Sequence, residues 1–542
     1  MDIETAAIEK SRGLERKWKV LITLMLGIFM VILDATIVNV AFPAMRIAFG
    51  ANLASTQWVI SIYVLALGIT TPVAGFLADR FGIKQVYLSG LAVFTLGSFL
   101  CGIAPSLPLL IAARALQGIG GGIAQPLSAA QLYRTFPPKE QGTAFGIFGI
   151  SLVVAPALGP VLGGWLVSAQ IWKGIFFVNV PVGILAVTLG SRFLIDNKTN
   201  QRHLFDPLGL ITAVIGFGSV LYAASIAETY GWTGTATIAF LVAGIVILVA
   251  HAWYELKGAK EPLMNLRLFT NRIFLNASLV GYVATVALFG AEFLMPLYLQ
   301  SFRGRSALEA GIILLGVAAT SAFATPLAGR LYDKIGPRPQ LVAGFIILCI
   351  NTWQLAHLQA TTPIAYIVFL LALRGLAVGL TLQTSFVTAL GAIHIDMLPR
   401  GSSLFNSTRF VVQSIAVASL ATILVSFLSP PIKAQMDQMQ AALPATTLFG
   451  VCETPGVTAQ NNLPPGAAAT LSTLPKQSAA AARARIVTGI QEACAESMKG
   501  FEAAYRLTFY ASIGALILAF FLPGWPAKWA GRQAGQAPPG GH

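Results

Sequence analysis

The sequence predicts an all-α membrane protein with fourteen transmembrane helices, arranged as two six-helix bundles with an inserted two-helix hairpin. Apolar residues make up 56% of the 542 residues and charged residues only 10%, a composition typical of a chain that spans a bilayer many times. A helix needs about 20 mostly apolar residues to cross the hydrocarbon core, and many stretches meet that requirement. One loop motif also occurs twice, which predicts two related halves.

The first bundle is predicted at residues 18–195, after an N-terminal segment at residues 1–17. Its first stretch carries Asp34 and lacks a small-residue cleavage site, so we interpret it as a retained span rather than a signal peptide. The six apolar stretches of this bundle are Trp18–Val40, Trp58–Leu77, Val86–Ile103, Leu109–Leu132, Thr143–Val167 and Ile175–Ile195.

A hairpin at residues 208–254 precedes the second bundle, which is predicted at residues 273–522. The hairpin stretches are Leu208–Ala227 and Ala236–Tyr254. The second bundle contains Ile273–Leu299, Ala310–Leu331, Leu341–Leu358, Ile364–Ala392, Leu404–Leu428 and Ala504–Leu522. A loop at residues 429–503 separates its last two spans, and residues 523–542 form the C-terminal segment.

The distribution of positive charge predicts the orientation in the membrane. Lys and Arg collect in the N-terminus and in every second loop, whereas the opposite short loops hold only Arg46, Lys173, Arg303 and Arg305. Loops rich in Lys and Arg stay on the cytoplasmic side, so we expect both termini in the cytoplasm and the protein in the plasma or inner membrane. The net charge of +14 then reflects topology and anionic lipid rather than nucleic acid.

The repeated motif follows the second and the tenth span at a constant offset of 254 residues, which places Asp333 opposite Asp79. The matching positions are Pro72, Gly75, Asp79, Arg80, Gly82 and Lys84 in the first copy and Pro326, Gly329, Asp333, Lys334, Gly336 and Arg338 in the second. Spans one to six therefore repeat as spans nine to fourteen. Parallel halves related by an axis along the membrane normal are a known transporter plan.

Further motifs stand in order along the first half. They are Leu33–Pro43 with Asp34, Thr36 and Asn39; Arg114–Gly120 with Gln117; Pro156, Gly159, Pro160, Gly163 and Gly164 in span five; and Asn179-x-Pro181 in span six. With the repeated loop, they resemble the major facilitator superfamily, in its fourteen-span drug/proton antiporter branch (EmrB/QacA type). The resemblance covers most of the chain from Leu33 to Arg409. It departs at Trp172-Lys173-Gly174, where the branch usually has Trp-Arg-Trp.

The resemblance implies the superfamily fold, export of drugs against protons, an antiporter motif in span five and a conformational latch. In the family, the aspartate of the first repeated loop grips the start of the span that is thirteenth here, so we expect Asp79 to pack against Ser402–Arg409. The latch residues implied are Gly75, Asp79, Arg80, Gly82, Lys84, Asp333 and Arg409.

Five charged side chains lie at least five residues inside the ends of predicted spans: Asp34, Arg114, Glu292, Arg374 and Arg409. A charge at the bilayer centre costs at least about 2.5 kcal/mol, so each should face the bundle interior or a wet cavity. Asp34 and Arg114 lie at similar depth and could meet. We expect Asp34 to carry the coupled proton, with Arg114 adjusting its affinity and Glu292 sharing that task or attracting a cationic substrate. The alternative is a static buried pair that fixes helix register.

Substrate is expected to contact residues of both halves, namely Asp34, Asn39, Gln117, Glu292 and Tyr298. The outer loop contains Cys452 and Cys494, which could form a disulfide in an oxidising exterior or remain free thiols. This loop could cover the outer mouth or bind a periplasmic adaptor protein.

We find no pattern that indicates an enzyme. The five histidines have no metal-ligand spacing, and the chain has no phosphate-binding loop of the Walker type, so no metal or cofactor is expected. We therefore predict a monomeric, proton-driven exporter of small amphipathic or cationic molecules in a lipid bilayer. A dedicated metabolite exporter, a proton-coupled importer and a transporter-like sensor remain the alternatives.

Overall fold

The described part of the protein consists almost entirely of long helices. The computed structural model describes residues 15–51, 53–195, 206–258, 262–303, 305, 307–359, 361–427 and 476–523. Within these ranges fourteen helices are long and apolar enough to cross a membrane, and none of the residues there forms a strand. The predicted all-α, fourteen-span fold is confirmed.

The helices follow one another in the predicted order. Helices α1 to α6 are Arg16–Phe49, Leu53–Phe81, Ile83–Ile103, Leu107–Thr135, Gln141–Ser168 and Gly174–Phe193. The hairpin helices α7 and α8 are Pro207–Tyr230 and Thr235–Lys257. Helices α9 to α14 are Arg272–Leu297, Ala307–Ile335, Pro337–Ala356, Ile364–Gly391, Leu398–Ser426 and Lys476–Phe520.

The two halves pack their helices in the same way. Helix α2 packs against α4, and α10 packs against α12; α1 packs against α5, and α9 against α13. The pairs α3 with α6 and α11 with α14 complete the correspondence. The repeated motif leads into an equivalent tight connection in each half, between α2 and α3 and between α10 and α11. Gly82 (φ 91°) and Gly336 (φ 78°) adopt a left-handed backbone at these connections. Residues with a Cβ rarely adopt such φ values, which explains glycine at both places.

The last helix is longer than predicted. Helix α14 contains 45 residues and begins at Lys476, so residues 476–503 of the predicted outer loop are helical and lead without a break into the span Ala495–Phe520. A hydropathy window finds only the apolar part of such a helix, because polar residues lower the average elsewhere. The rest of the predicted outer loop, residues 429–475, lies outside the described residues.

The inserted hairpin lies against both halves. Helix α7 packs on α2 and on α13, with Leu221 next to Gly68 and Ala224 in one cluster with Ala418. Helix α8 packs mainly on α7 and exposes apolar side chains such as Phe240, Val246, Val249 and Trp253. A helix that is apolar on its exposed face is suited to contact with lipid.

The two halves touch closely at one face of the bundle. We call the face that carries Arg16 and the C-terminal end of α14 the inner face, and the opposite one the outer face. A Cβ atom added to Gly329 of α10 would lie 2.2 Å from the carbonyl oxygen of Gly142 in α5. Across the second seam, a Cβ on Gly75 of α2 would lie 2.9 Å from the carbonyl oxygen of Pro399 in α13. The inner ends of the halves are therefore closed against each other.

Candidate functional site

A buried carboxylate lies at the centre of the first bundle. Asp34 in α1 is 0% exposed and forms an ion pair with Arg114 of α4. Its Oδ1 atom also accepts hydrogen bonds from Gln117 Nε2 at 2.7 Å and from Asn179 Nδ2 at 2.8 Å. The predicted contact between Asp34 and Arg114 is thus present, with two amides completing the set of donors.

Arg114 is held by more than the carboxylate. Its Nε donates to the Val59 carbonyl oxygen at 3.0 Å, and Nη1 donates to Gln117 Oε1 at 2.7 Å. The guanidinium lies 4.1 Å from the ring centroid of Tyr63, within the range of a cation–π interaction. Removing the charge on Asp34 would therefore leave Arg114 with partners of its own.

The structure adds residues that the sequence did not assign to this site. Asn179 belongs to a recognised motif, yet its role was not predicted; it lies in the first half of α6, and its side chain reaches Asp34. Ser98 Oγ accepts a hydrogen bond from Gln117 at 2.7 Å. Buried polar residues in apolar helices were the available signal, but sequence spacing gives no partner for them.

The second bundle lacks an equivalent ion pair. Arg374 is 2% exposed, and its Nη2 donates to the carbonyl oxygens of Ala287 and Leu288 at 2.6 and 3.2 Å. Leu288 stands at the position that the repeat offset makes equivalent to Asp34. Main-chain carbonyls therefore replace the carboxylate around this arginine.

Glu292 lies one helical turn further towards the outer face. It is within electrostatic range of Arg374 but forms no hydrogen bond or ion pair with the described residues. Its side chain is exposed although protein surrounds it, as expected for a group that faces an accessible space inside the bundle. Glu292 is consequently the membrane-embedded carboxylate that a ligand can reach in this conformation, whereas Asp34 is sealed.

The remaining predicted substrate contacts differ in accessibility. Asn39 is exposed near the outer end of α1. Gln117 is buried in the Asp34 network. Tyr298 is also buried; its hydroxyl donates to the Gln359 carbonyl oxygen at 2.7 Å and accepts from Arg303 Nη1 at 3.3 Å. A substrate role for these residues stays a prediction.

The repeated loop joins the halves at the inner face, but through another residue than expected. Asp79 forms an ion pair with Arg400, in the first turn of α13 and two residues before the predicted segment Ser402–Arg409. Helix α13 begins at Leu398, so its positive end precedes that segment. Arg409 lies about 13 Å further along the helix and has no ion pair with the described residues; its guanidinium lies over the Phe410 ring.

The second copy of the loop caps a helix of the opposite half. Asp333 Oδ1 accepts from the Gly142 amide at 2.8 Å, and Oδ2 accepts from the Thr143 amide at 2.8 Å and the Thr143 hydroxyl at 2.7 Å. A carboxylate at a helix N-terminus satisfies free amides and the helix dipole. Both repeated aspartates therefore bind the start of a helix in the other half.

The other latch candidates have local roles. Lys84 Nζ donates to the Ser191 carbonyl oxygen at 2.7 Å, which joins α3 to α6 within the first half. The Arg80 guanidinium lies 5.5 Å from the centroid of the Phe81 ring. Among the described contacts of the first loop, those that reach the second half involve Gly75 and Asp79.

The span-five motif brings α5 close to α1. A Cβ on Gly159 would lie 2.2 Å from Thr36 Oγ1, and one on Gly163 would lie 3.0 Å from the Ile37 carbonyl oxygen. Pro156 and Pro160 lie inside the helix, where each removes an amide donor, and a Cβ on Gly164 would meet nothing within 4 Å. Helix α5 thus contacts α1 within one turn of Asp34.

The side chains of the predicted disulfide lie outside the described part of the chain. Cys452 lies outside the described residues, and so does the side chain of Cys494, so the disulfide stays a prediction. Across the described ranges, no group of three His, Cys, Asp or Glu side chains could hold a metal ion.

A fourteen-helix bundle with two repeated halves, closed at one face, and with paired and unpaired charges at membrane depth defines a secondary membrane transporter. Comparison with known proteins gives the family. The Major Facilitator Superfamily profile matches residues 24–205 and 207–417. The chain belongs to the major facilitator superfamily, a family of transporters rather than enzymes.

Individual relatives agree with this assignment. The chain is 33% identical to the uncharacterized MFS-type transporter YhcA of Bacillus subtilis over 77% of this chain and 78% of that protein. It is 34% identical to the multidrug transporter protein MdtP of the same organism over 68% of each chain. The solved proton:xylose symporter XylE matches 94% of this chain and 96% of its own with a TM-score of 0.55 at 13% identity, which shows the fold alone.

The buried pair generates a stability prediction. Arg114→Met keeps most of the side-chain volume but leaves Asp34 as an unpaired buried charge, which costs roughly 3–5 kcal/mol. We expect a clear loss of thermal stability in detergent for this variant. Adding Asp34→Asn should restore much of that stability, because the uncompensated charge is removed. A double variant as unstable as the sum of both single variants would contradict the ion-pair assignment.

Proposed function

We propose that this protein is a proton-coupled antiporter that exports small amphipathic or cationic compounds by alternating access. We place it in the plasma or inner membrane with its inner face towards the cytoplasm, as the charge distribution predicts. The observation that carries the proposal is the Asp34 carboxylate, held by Arg114 and two amides in the membrane interior. Binding of a proton to the Asp34 carboxylate would change this set of contacts.

Protonation of Asp34 would uncouple α1 from α4. The neutral acid no longer attracts the guanidinium, while Arg114 keeps the Val59 carbonyl and Gln117 as partners. The ion pair is worth most when both groups are charged and buried. The relative position of α1, α4 and α6 therefore depends on whether Asp34 carries a proton, which is the property that a coupling site requires.

A shift of α1 can be transmitted to the seam between the halves. Thr36 lies two residues after Asp34 and touches Gly159 of α5. Helix α5 also meets α10 at Gly142 and Gly329. Close contacts through glycine leave no soft side chains to absorb a shift, so movement of α1 reaches the inner seam through α5.

The proton gradient is sufficient for export without a bound cofactor. A membrane potential near 100 mV supplies about 2.3 kcal/mol per charge, and half a pH unit adds about 0.7 kcal/mol. One proton could then support a gradient on the order of a hundredfold for a neutral substrate. Exchange of one proton for one monovalent cation moves no net charge, so the pH difference alone drives it and more than one proton per cation is needed for a comparable gradient. The proposed transporter works as a monomer, because each half contributes its own charged site within one chain; an outer adaptor protein stays a prediction.

Glu292 supports a preference for cationic compounds. It is the accessible acid in the second bundle, and nothing in the described residues pairs with it. A cation bound beside it would supply the missing counter-charge. Similarity to relatives such as MdtP, a multidrug transporter protein, supports a range of compounds over a single metabolite.

The test of coupling is Asp34→Asn in sealed proteoliposomes with an imposed pH gradient. Asparagine preserves the shape but cannot exchange a proton, so we expect substrate-driven proton flux to fall at least about a hundredfold. A pH-sensitive dye trapped inside the vesicles measures the flux while cationic, neutral and anionic amphipathic dyes are added. Asp396→Asn, at an exposed acid on the inner surface, is the matched control and should behave as wild type.

The same assay separates the alternatives. Protons that move with the substrate would indicate an importer. A response to one compound of the panel alone would indicate a dedicated exporter, and no proton signal with any bound compound would indicate a sensor. Undiminished coupled flux in the Asp34→Asn protein would reject this residue as the coupling site.

The substrate preference gives a separate prediction for Glu292→Gln. Loss of a charged contact worth roughly 1.5 kcal/mol should raise the KM for cationic dyes about tenfold and leave that for neutral dyes nearly unchanged. Initial transport rates over a range of dye concentrations measure both. An equal effect on neutral and cationic dyes would show that Glu292 does not recognise substrate charge.

We further propose that Asp79 and Arg400 form a latch that favours the conformation closed at the inner face. Both side chains are largely buried, and they join α2 of one half to α13 of the other. An ion pair between two bodies that must separate stabilises only the state in which they meet.

Asp79→Asn should therefore open the inner face more often. We expect the labelling rate of a Thr325→Cys reporter to rise about tenfold, measured with a maleimide in a chain whose four native cysteines are replaced. Thr325 is 2% exposed and lies at the α5–α10 seam, away from the substituted side chain. An unchanged labelling rate would remove the latch.

A further inference from the structure

A second buried acidic cluster lies at the inner end of the inserted hairpin, and the transport mechanism above does not use it. Asp206 precedes α7, and His251 and Glu255 lie on the last turns of α8; their exposed fractions are 8%, 3% and 2%. The cost of burying these groups is high, so the cluster calls for an explanation beyond hairpin formation.

Part of the cluster holds the hairpin together. Asp206 Oδ1 accepts from the Gly209 amide at 2.8 Å and from the Tyr254 hydroxyl at 3.0 Å. His251 Nδ1 lies 2.9 Å from Thr212 Oγ1. These contacts join α7 to α8 and involve neither half of the transporter.

Glu255 makes a different kind of contact, because its partner lies outside the hairpin. Its Oε1 accepts a hydrogen bond from the Leu263 amide at 3.0 Å. The carbonyl oxygen of the same peptide unit belongs to Pro262, and it accepts from Arg400 Nη1 at 3.0 Å. One peptide group is thus bound by Glu255 on its N–H side and by Arg400 on its C=O side.

This arrangement links the hairpin to the latch. A carboxylate that binds an amide N–H polarises the peptide and makes its carbonyl a better acceptor. The carbonyl in turn fixes one arm of the Arg400 guanidinium, while Nε of the same guanidinium is paired with Asp79. Glu255 is also within electrostatic range of Arg400, which favours the same arrangement.

The unpaired atoms around Glu255 support the same interpretation. Its Oε2 has no hydrogen-bond partner among the described residues, and His251 Nε2 has none either; these two side chains approach no closer than 3.7 Å. A carboxylate kept only for hairpin stability would be expected to use both oxygens. Here the carboxylate bonds to main-chain amides beyond the hairpin, Leu263 at 3.0 Å and its neighbour Met264.

We propose that Glu255 is a positioning residue for the inner latch, through which the inserted hairpin controls the balance between the inner-closed and inner-open states. Glu255 holds the Pro262–Leu263 peptide, the peptide orients Arg400, and Arg400 binds Asp79. This inference rests on the latch role proposed above. It assigns the hairpin a regulatory task that a twelve-helix transporter would lack.

The test uses the full-length protein in proteoliposomes with the Thr325→Cys reporter. Glu255→Gln keeps the shape and an amide acceptor but loses the charge, and we expect labelling about threefold faster than in the parent. Tyr254→Phe is the matched control: it removes a hydrogen bond of the same hairpin outside the relay and should stay close to the parent rate. Thermal unfolding of each variant shows whether the fold is retained.

The double variant Asp79→Asn with Glu255→Gln decides between relay and independent effects. If Glu255 acts through the latch, the double variant labels no faster than Asp79→Asn alone, since residues of one network are not additive. Rates that multiply, or a Glu255→Gln protein that labels like the parent while Asp79→Asn labels faster, would overturn the relay and leave the latch intact. No change in Asp79→Asn would instead reject the latch itself.

Arg400→Lys provides a second route if Glu255→Gln fails to fold. Lysine keeps a positive charge for Asp79 but lacks the planar fork that can bind a carboxylate and a carbonyl together. We expect faster labelling here too, and no further increase when Tyr254→Phe is added. A parent-like rate in Arg400→Lys would show that the carbonyl contact does not support the latch.

Discussion

Every charge at membrane depth needs a partner inside the protein, because the bilayer offers none. The rest of the structure depends on this constraint. The two halves meet this need differently. The first half encloses Asp34 with Arg114 and two amides, which gives a closed set of charges. The second gives main-chain carbonyls to Arg374 and leaves Glu292 accessible. The two repeated halves thus contain a sealed ionisable site and an open one, which are the proposed proton and substrate sites respectively.

The seams between the halves also contain few polar groups. Glycines bring the backbones of α5 and α10 into direct contact, and Gly75 does so for α2 and α13. Such contacts exclude water but are weak individually. Polar contacts across the seams, which include Asp333 with the start of α5, Asp79 with Arg400 and Ser402 with the Pro126 carbonyl oxygen, can therefore contribute to holding the inner face closed.

Sequence alone predicted what depends on hydropathy and repetition, namely fourteen spans, two halves and the meeting of Asp34 with Arg114. It did not predict the role of Asn179, because sequence spacing does not show which side of α6 faces Asp34. It placed the latch partner too far along α13, because a helix start in a polar loop is not marked by apolar residues. It also overlooked Glu255, since spacing along the chain does not show which peptide a side chain will bind.

The hairpin cannot be a passive insertion, given where it packs. Helix α7 contacts α2 and α13, the two helices that must part when the inner face opens. Its contacts there combine small residues, Gly68 on one side and Ala418 on the other, with the stacked rings of Trp58 and Tyr222. Its firm polar attachment to the rest of the protein is at the inner end, where Glu255 binds the peptide that orients Arg400. A body that packs on both helices and is attached at the inner end can therefore bear on the latch, as the proposed role of Glu255 requires.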